Sequence, residues 1–292
     1  MTSPAVITAV VSEGTLIRGD PGARPVPWWS FAKTAIAAAA LVLVRDGELA
    51  LDEPVAGKRY TLRQLLAHTA GVPNYSDLDD YTQCVARRAE PWPVEEMLDR
   101  VQADRLLFEP GRDWRYSNTG YLLVRRIIET VAGDDLLQAL QQLVFLPLGI
   151  EGVSLASYPT ELEATEWANP DGYPPGWVYH GLLIGPPASA ALLLERLLAG
   201  RLLPADLLAQ MCDRRPLGGE LPGRPWKDFG YGLGMMVALD GPAGTSIGHT
   251  GSGPISVAAV YRFSAHRKTV AAFSSTGDQA VVEWAAHEAA IG

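Results

Sequence analysis

The spacing of hydrophobic positions changes twice along the chain. Residues 6–11 form a short β-branched run, Gly14 marks a turn, and residues 15–17 read as the returning arm of a hairpin. Near the other end, residues 231–239, 255–263 and 269–275 are β-branched and aromatic runs separated by Gly, Pro and polar positions, which predicts antiparallel meandering strands. Residues 278–290 then return to helical spacing, with Val281, Val282, Trp284, Ala285 and Ala289 as the apolar side. The middle is different. From Thr61 to about Gln210 the pieces TLRQLLAHTAG, VEEMLDRVQADRLL, TGYLLVRRIIETVAG, DLLQALQQLVFLPLG and SAALLLERLLAG carry apolar residues three and four apart and end near Gly. The simplest assembly is a discontinuous α/β sheet domain from residues 1–58 and 218–292, with an all-helical domain over 59–217 inserted between them. The fold class is then α+β, an antiparallel sheet flanked by helices. A site between the two parts is the default expectation.

Three short motifs carry candidate chemistry. Ser30-Phe31-Ala32-Lys33 opens a long apolar helix running to about Val44, preceded by Pro27 and closed by Asp46-Gly47. Ser and Lys three apart share one helix face, one turn from each other, as a serine nucleophile and a lysine base require. Burial among Trp29, Phe31, Ala32 and Ile36 favours the uncharged amine. Lys58, Lys227 and Lys268 sit in polar, turn-like stretches; only Lys33 lies inside an apolar helix. The bland alternative is an N-cap serine with a snorkelling lysine.

Tyr116-Ser117-Asn118 precedes the next helical run. Its phenol is placed to relay a proton, and Asn118 supplies a donor and an acceptor to a bound amide; the alternative is a capping Ser/Asn beside a packing Tyr. His249-Thr250-Gly251, followed by Ser252, lies between two predicted strands. An edge strand there offers backbone N–H groups to an oxyanion, against the alternative of a plain strand-end turn. By composition, all three motifs together are expected in roughly a few of every hundred thousand such chains.

Composition narrows the class. With 24 Lys+Arg against 33 Asp+Glu the net charge is −9, which argues against binding a nucleic-acid backbone. The longest apolar run, residues 34–44, is too short to span a bilayer, and the first residues lack a basic export segment, so a cytoplasmic location is expected. Cys84 and Cys212 read as free thiols in a reducing compartment. No metal-ligand spacing is present, so no metal and no cofactor are expected. Oligomeric state is left open.

As a set, the motifs resemble the serine β-lactamase/D,D-peptidase superfamily, and within it the class C β-lactamase-like branch that also holds esterases and D-aminopeptidases. Further stretches are similar to that branch: DGELALDEPV, TLRQLLAHTAGVPNY, FEPGRDWRYSNTGYLLVRRIIE, LPLGI and YGLGMMV. The resemblance implies a β-lactamase-like fold. It implies Ser30 as the acylated nucleophile, Lys33 and Tyr116 sharing acid–base work, and Asn118 orienting substrate or Lys33. It further implies the backbone N–H groups of Ser30 and Ser252 as the oxyanion hole, with His249 where β-lactamases usually carry Lys.

The expected function is a serine hydrolase acting through an acyl-enzyme on a small ester, amide or peptide, esterase-like first. The alternatives are a β-lactamase or D-stereospecific peptidase of the same family, or a non-catalytic binding module on this fold. An unperturbed His249 has a pKa near ~6.5, so carboxylate-bearing substrates are expected to bind better near pH 5.5 than at pH 8. Gly244-Thr245-Ser246-Ile247-Gly248 matches the G-x-S-x-G nucleophile elbow, a rival that needs a strand before it and a helix after it. His68 reads as a helix-end residue, and His180 as a surface or core residue ahead of the alternative that it touches the cleft; the WANPDGYPPGWVYH stretch reads equally as a pocket wall or as the anchor of a long connection.

Overall fold

The computed structural model describes residues 5–169 and 171–292. Eleven strands occur among them: β1 (Val6–Ser12), β2 (Thr15–Arg18), β3 (Val26–Pro27), β4 (Ser154–Ala156), β5 (Leu182–Gly185), β6 (Arg215–Gly218), β7 (Asp228–Tyr231), β8 (Met236–Gly241), β9 (Gly244–Ser252), β10 (Val257–Phe263) and β11 (Lys268–Ser274). Eight form one antiparallel sheet in the order β2-β1-β11-β10-β9-β8-β7-β6, and the short β3, β5 and β4 form a second. The chain ends meet in the large sheet, where Val6 lies opposite Ser274 and Ser12 opposite Lys268.

The helices, in order, are α1 (Ala32–Arg45), α2 (Leu62–Leu66), α3 (Asp79–Ala86), α4 (Val94–Arg100), α5 (Asn118–Ala132), α6 (Leu136–Leu140), α7 (Leu146–Leu148), α8 (Pro159–Glu163), α9 (Pro187–Leu198), α10 (Ala205–Cys212) and α11 (Gln279–Ile291). Both faces of the large sheet are covered, which explains why its strands read as near-continuous apolar runs. Along β10, Ala258 and Val260 pack towards α1 and α9, while Ala259, Tyr261 and Phe263 pack towards α11. One hydrophobic core joins α1 and α9 to the helices of the middle segment, including Leu65, Val124, Leu140 and Phe145.

Three local expectations are corrected. The segment around His249 is not a turn between strands but the interior of β9, which pairs with β8 on one side and β10 on the other. Its Gly-rich, polar composition hides the strand. Glycine is nevertheless what the strand needs, because a Cβ on Gly248 would stand 1.9 Å from the Val260 carbonyl oxygen. The apolar run over 231–239 is broken into β7 and β8. Gly234, at φ +70°, turns the chain against α1, where a Cβ would meet Ala37 at 2.4 Å. The buried side of α11 is Val282, Ala286, Ala289 and Ala290; Trp284 is 40% exposed and donates to the Gly223 carbonyl.

Buried ion pairs tie helices to the sheet. Glu195 of α9 meets both Arg262 and Thr269, which face each other across β10 and β11. Glu195→Ala would leave Arg262 without its partner in a largely buried place. The expected loss is roughly 2 kcal/mol, below the fully buried case because the Arg262 side chain keeps some solvent contact. A lower urea midpoint at unchanged slope checks it.

Candidate active site

The nucleophile turn is held from two sides. Ser30 lies in a short 3₁₀ turn, Trp29–Phe31, just before α1 rather than inside the α-helix proper. Trp28 donates its backbone N–H to Leu183 of β5 at 2.8 Å and its indole N–H to Gly185 at 3.2 Å. Trp29 has φ +48°, an uncommon conformation for a large side chain. Its indole N–H donates to Ser256 Oγ at 2.9 Å, and its ring fills the space where a Cβ on Gly253 would sit at 2.3 Å. The side chain is therefore locked on both edges, and the turn holds Ser30 half-buried.

Lys33 comes one turn later and is completely buried. Its Nζ lies 3.3 Å from Ser30 Oγ, 2.7 Å from Asn118 Oδ1 and 3.0 Å from His180 Nε2. Lys33 takes part in none of the ion pairs among the described residues. Burial without a counter-charge holds its amine well below the ordinary lysine range. The Tyr116 hydroxyl donates to Ser30 Oγ at 2.9 Å. Burial raises this phenol above its ordinary value, opposed by the bond to Ser30. The two groups flanking Ser30 are thus pushed apart, an amine that gives up its proton and a phenol that keeps it.

Asn118 and Tyr116 are fixed by the start of α5. The Ser117 side chain caps this helix by accepting from the Gly120 N–H at 2.9 Å. Asn118 takes the Asn74 side-chain oxygen on its backbone N–H at 3.0 Å and gives its own amide N–H to Ser76 at 3.2 Å, so its Oδ1 is left for Lys33. His68 braces the same motif from below. Its ring lies 4.3 Å from that of Tyr116, and its Nδ1 accepts the Ser117 N–H at 3.1 Å.

Two histidines are closer to the chemistry than their sequence context indicates. His180 touches Lys33 directly, and His68 sets the Tyr116 ring. For His180 a contact with the cleft was only the second reading of the sequence, and the place of His68 beside Tyr116 carries no periodic signal.

His249 departs from expectation. It is buried; its Nδ1 faces the Thr250 carbonyl at 2.5 Å and its Nε2 the Tyr231 hydroxyl at 2.9 Å, so both ring nitrogens are engaged within the protein. Burial pushes its pKa down to about 3, away from the titration near neutrality that an unperturbed imidazole would show. Thr250 is buried with its hydroxyl on Met236, Gly251 lies against the nucleophile turn, and the Ser252 side chain is exposed. A Cβ on Gly251 would meet the Ser30 backbone nitrogen at 3.0 Å, so only a glycine lets β9 pass this closely. β8 pairs with β9 only as far as Gly248, so residues 249–252 overhang it and keep β10 as their strand partner. The overhang behaves as a local edge inside a central strand.

The elbow reading of residues 244–248 fails on geometry. They lie within β9, Ser246 is buried, and no helix follows. Tyr173 and Trp177 of the aromatic connection pack in a buried cluster with Trp29 and Tyr75, and Trp177 donates to the Ala89 carbonyl at 2.8 Å, an anchoring role. A groove of about 1060 Å³ lined by Tyr60, Leu65, Leu123 and Ile127 contains none of the motif residues. Cys84 and Cys212 are unpaired. No helix among the described residues is long and apolar enough to cross a membrane.

This fold is that of the serine hydrolases of the β-lactamase type. The sequence profile of the Beta-lactamase family matches residues 22–291, and the chain belongs to that family. Penicillin-binding protein 4* of Bacillus subtilis (strain 168) is 23% identical over 262 residues, covering 79% of this chain and 54% of that protein. The chain thus spans about half the length of that relative. Esterase EstB of Burkholderia gladioli is 30% identical over 166 residues, covering 50% of this chain and 41% of the esterase. Among solved structures, D-amino acid amidase from Ochrobactrum anthropi SV3 complexed with L-phenylalanine superposes with a TM-score of 0.79. It is 23% identical, with 98% of this chain and 92% of the amidase covered, and so shares the fold.

Because burial pushes the His249 pKa down to about 3, the KM for a carboxylate-bearing acyl substrate, relative to its methyl-ester analogue, is expected to be the same at about pH 8 and pH 5.5. A ratio that falls several-fold on acidification would show that His249 titrates there.

Proposed function

We propose that the chain is a serine hydrolase that works through a covalent acyl-enzyme on small, uncharged esters, with amides as slower substrates. The observation carrying this reading is the Ser30 hydroxyl set between the buried Lys33 amine at 3.3 Å and the Tyr116 phenol at 2.9 Å. Ser30 Oγ attacks the carbonyl carbon while its proton passes to Lys33 Nζ. The oxyanion is received by the backbone N–H groups of Ser30 and Ser252. Tyr116 relays the proton from Lys33 to the leaving alkoxide as the carbon–oxygen bond breaks. Water then attacks the acyl carbonyl, gives its proton to the same amine, and releases the acid with Ser30 restored. Asn118 and the Gly251 backbone orient the acyl chain.

The preference for uncharged acyl groups rests on the state of the two basic side chains in the motifs. Burial lowers the pKa of both Lys33 and His249, which disfavours a fixed charge facing a substrate carboxylate. Esterase EstB and the D-amino acid amidase supply the natural probes among the relatives. The test is a panel on purified protein: p-nitrophenyl butyrate, D-phenylalanine amide and a chromogenic cephalosporin, with intact mass to catch the acyl-enzyme. The butyrate ester is expected to give the highest kcat/KM, and Ser30→Ala to lose on the order of 10⁴-fold. A cephalosporin turned over better than the ester would replace this reading with that of a β-lactamase.

Lys33→Ala and Tyr116→Phe act on one proton path, so the double variant is expected to be little worse than the worse single. Losses that multiply would separate the two roles.

A further inference from the structure

The Lys33 amine has four tetrahedral directions. One is its own Cε; the other three end on Ser30 Oγ, Asn118 Oδ1 and His180 Nε2, at 3.3, 2.7 and 3.0 Å. An uncharged amine has two N–H donors and one lone pair to distribute over these three contacts. A general base needs the lone pair on the serine. Asn118 presents Oδ1, an acceptor, to Lys33 while its amide N–H faces Ser76. Tyr116 donates to Ser30 Oγ, so the Ser30 proton is free to point at Lys33. The remaining contact decides the outcome. If His180 Nε2 accepts, the lone pair is left facing Ser30. If Nε2 carries the proton, it takes the lone pair and the serine has no base.

We propose that His180 is a positioning residue of this site: its Nε2 accepts one Lys33 N–H, Asn118 takes the other, and the amine lone pair is thereby aimed at Ser30 Oγ. The role rests on the acyl-enzyme reading above. His180 does not touch the reacting carbonyl, and it acts only through Lys33. Its chain position supports the assignment. The ring is buried immediately before Gly181 and β5, the strand that also accepts the Trp28 N–H, so the element that pins the nucleophile turn also delivers this imidazole. Accepting at Nε2 puts the ring proton on Nδ1, which has no hydrogen-bond partner among the described residues.

His180→Gln keeps an acceptor oxygen at this place, whereas His180→Leu keeps the volume and removes the acceptor. The readout is the second-order rate of Ser30 phosphonylation by an uncharged fluorophosphonate, which needs no knowledge of the substrate. His180→Leu is expected to slow labelling on the order of 10- to 100-fold, and His180→Gln to stay within about fivefold of the wild type, both with thermal midpoints near the wild type. In ¹⁵N spectra of the wild type, the His180 resonance pair is expected to show a protonated Nδ1 and a bare Nε2. Equal labelling by His180→Leu and wild type, equal losses in both variants, or a protonated Nε2 would each overturn the proposal. Ser30→Ala is the separate control. If it still labels, the acyl-enzyme reading itself fails whatever His180 does.

Discussion

Lys33 is an amine sealed away from water with no carboxylate to balance it, and the site is organised around keeping it so. Three contacts end on its Nζ, all from neutral groups, while the rings of Tyr116 and Tyr121 lie 5.0 and 5.5 Å away. Desolvation of a cation in such a place is only partly offset by a few neutral hydrogen bonds, so the amine's pKa is lowered well below the ordinary lysine range. The surrounding imidazoles follow suit. His68, His180 and His249 are each pushed down chiefly by burial, so the cluster around the amine is held away from positive charge. The arrangement carries a stability cost with a definite sign. A lysine whose folded pKa is depressed binds fewer protons when folded, so stability rises with pH between that depressed value and the ordinary one near about 10.4.

The fold supplies what keeps the amine dry. α1 is buried along nearly its whole length, because the sheet lies on one side of it and the helices of the middle segment on the other. The nucleophile turn is then clamped between β5, which accepts from Trp28, and β9, which passes so close that Gly251 and Gly253 admit no side chain. Trp29 bridges these constraints with a left-handed backbone and a hydrogen-bonded indole. Such a conformation persists only where the surroundings over-determine it.

Much of this was legible in the sequence. The Ser30–Lys33 spacing on an apolar helix already puts nucleophile and amine on one face, and the hairpin over residues 6–17 formed as its pattern predicts, with its first strand joining β11. What escaped did so for identifiable reasons. β9 is made of the residues least inclined to form strands, and it exists because close packing against Val260 and Trp29 excludes side chains. His180 and His68 belong to loops whose positions are set by tertiary contacts, so no periodicity marks them. The charge state of His249 depends on burial, which appears only when residues distant in the chain converge. The apolar face of α11 was misjudged by one position because Glu283, buried against Arg224 and Trp226, replaces an apolar residue on the core side.

The chain has only four lysines, Lys33, Lys58, Lys227 and Lys268, which makes the central claim directly measurable. A ¹⁵N NMR titration of the side-chain amines, with the Lys33 signal assigned by its loss in Lys33→Met, follows each one separately. The account predicts that the Lys33 resonance titrates well below the other three. A Lys33 signal that titrates together with the others, near about 10.4, would contradict it.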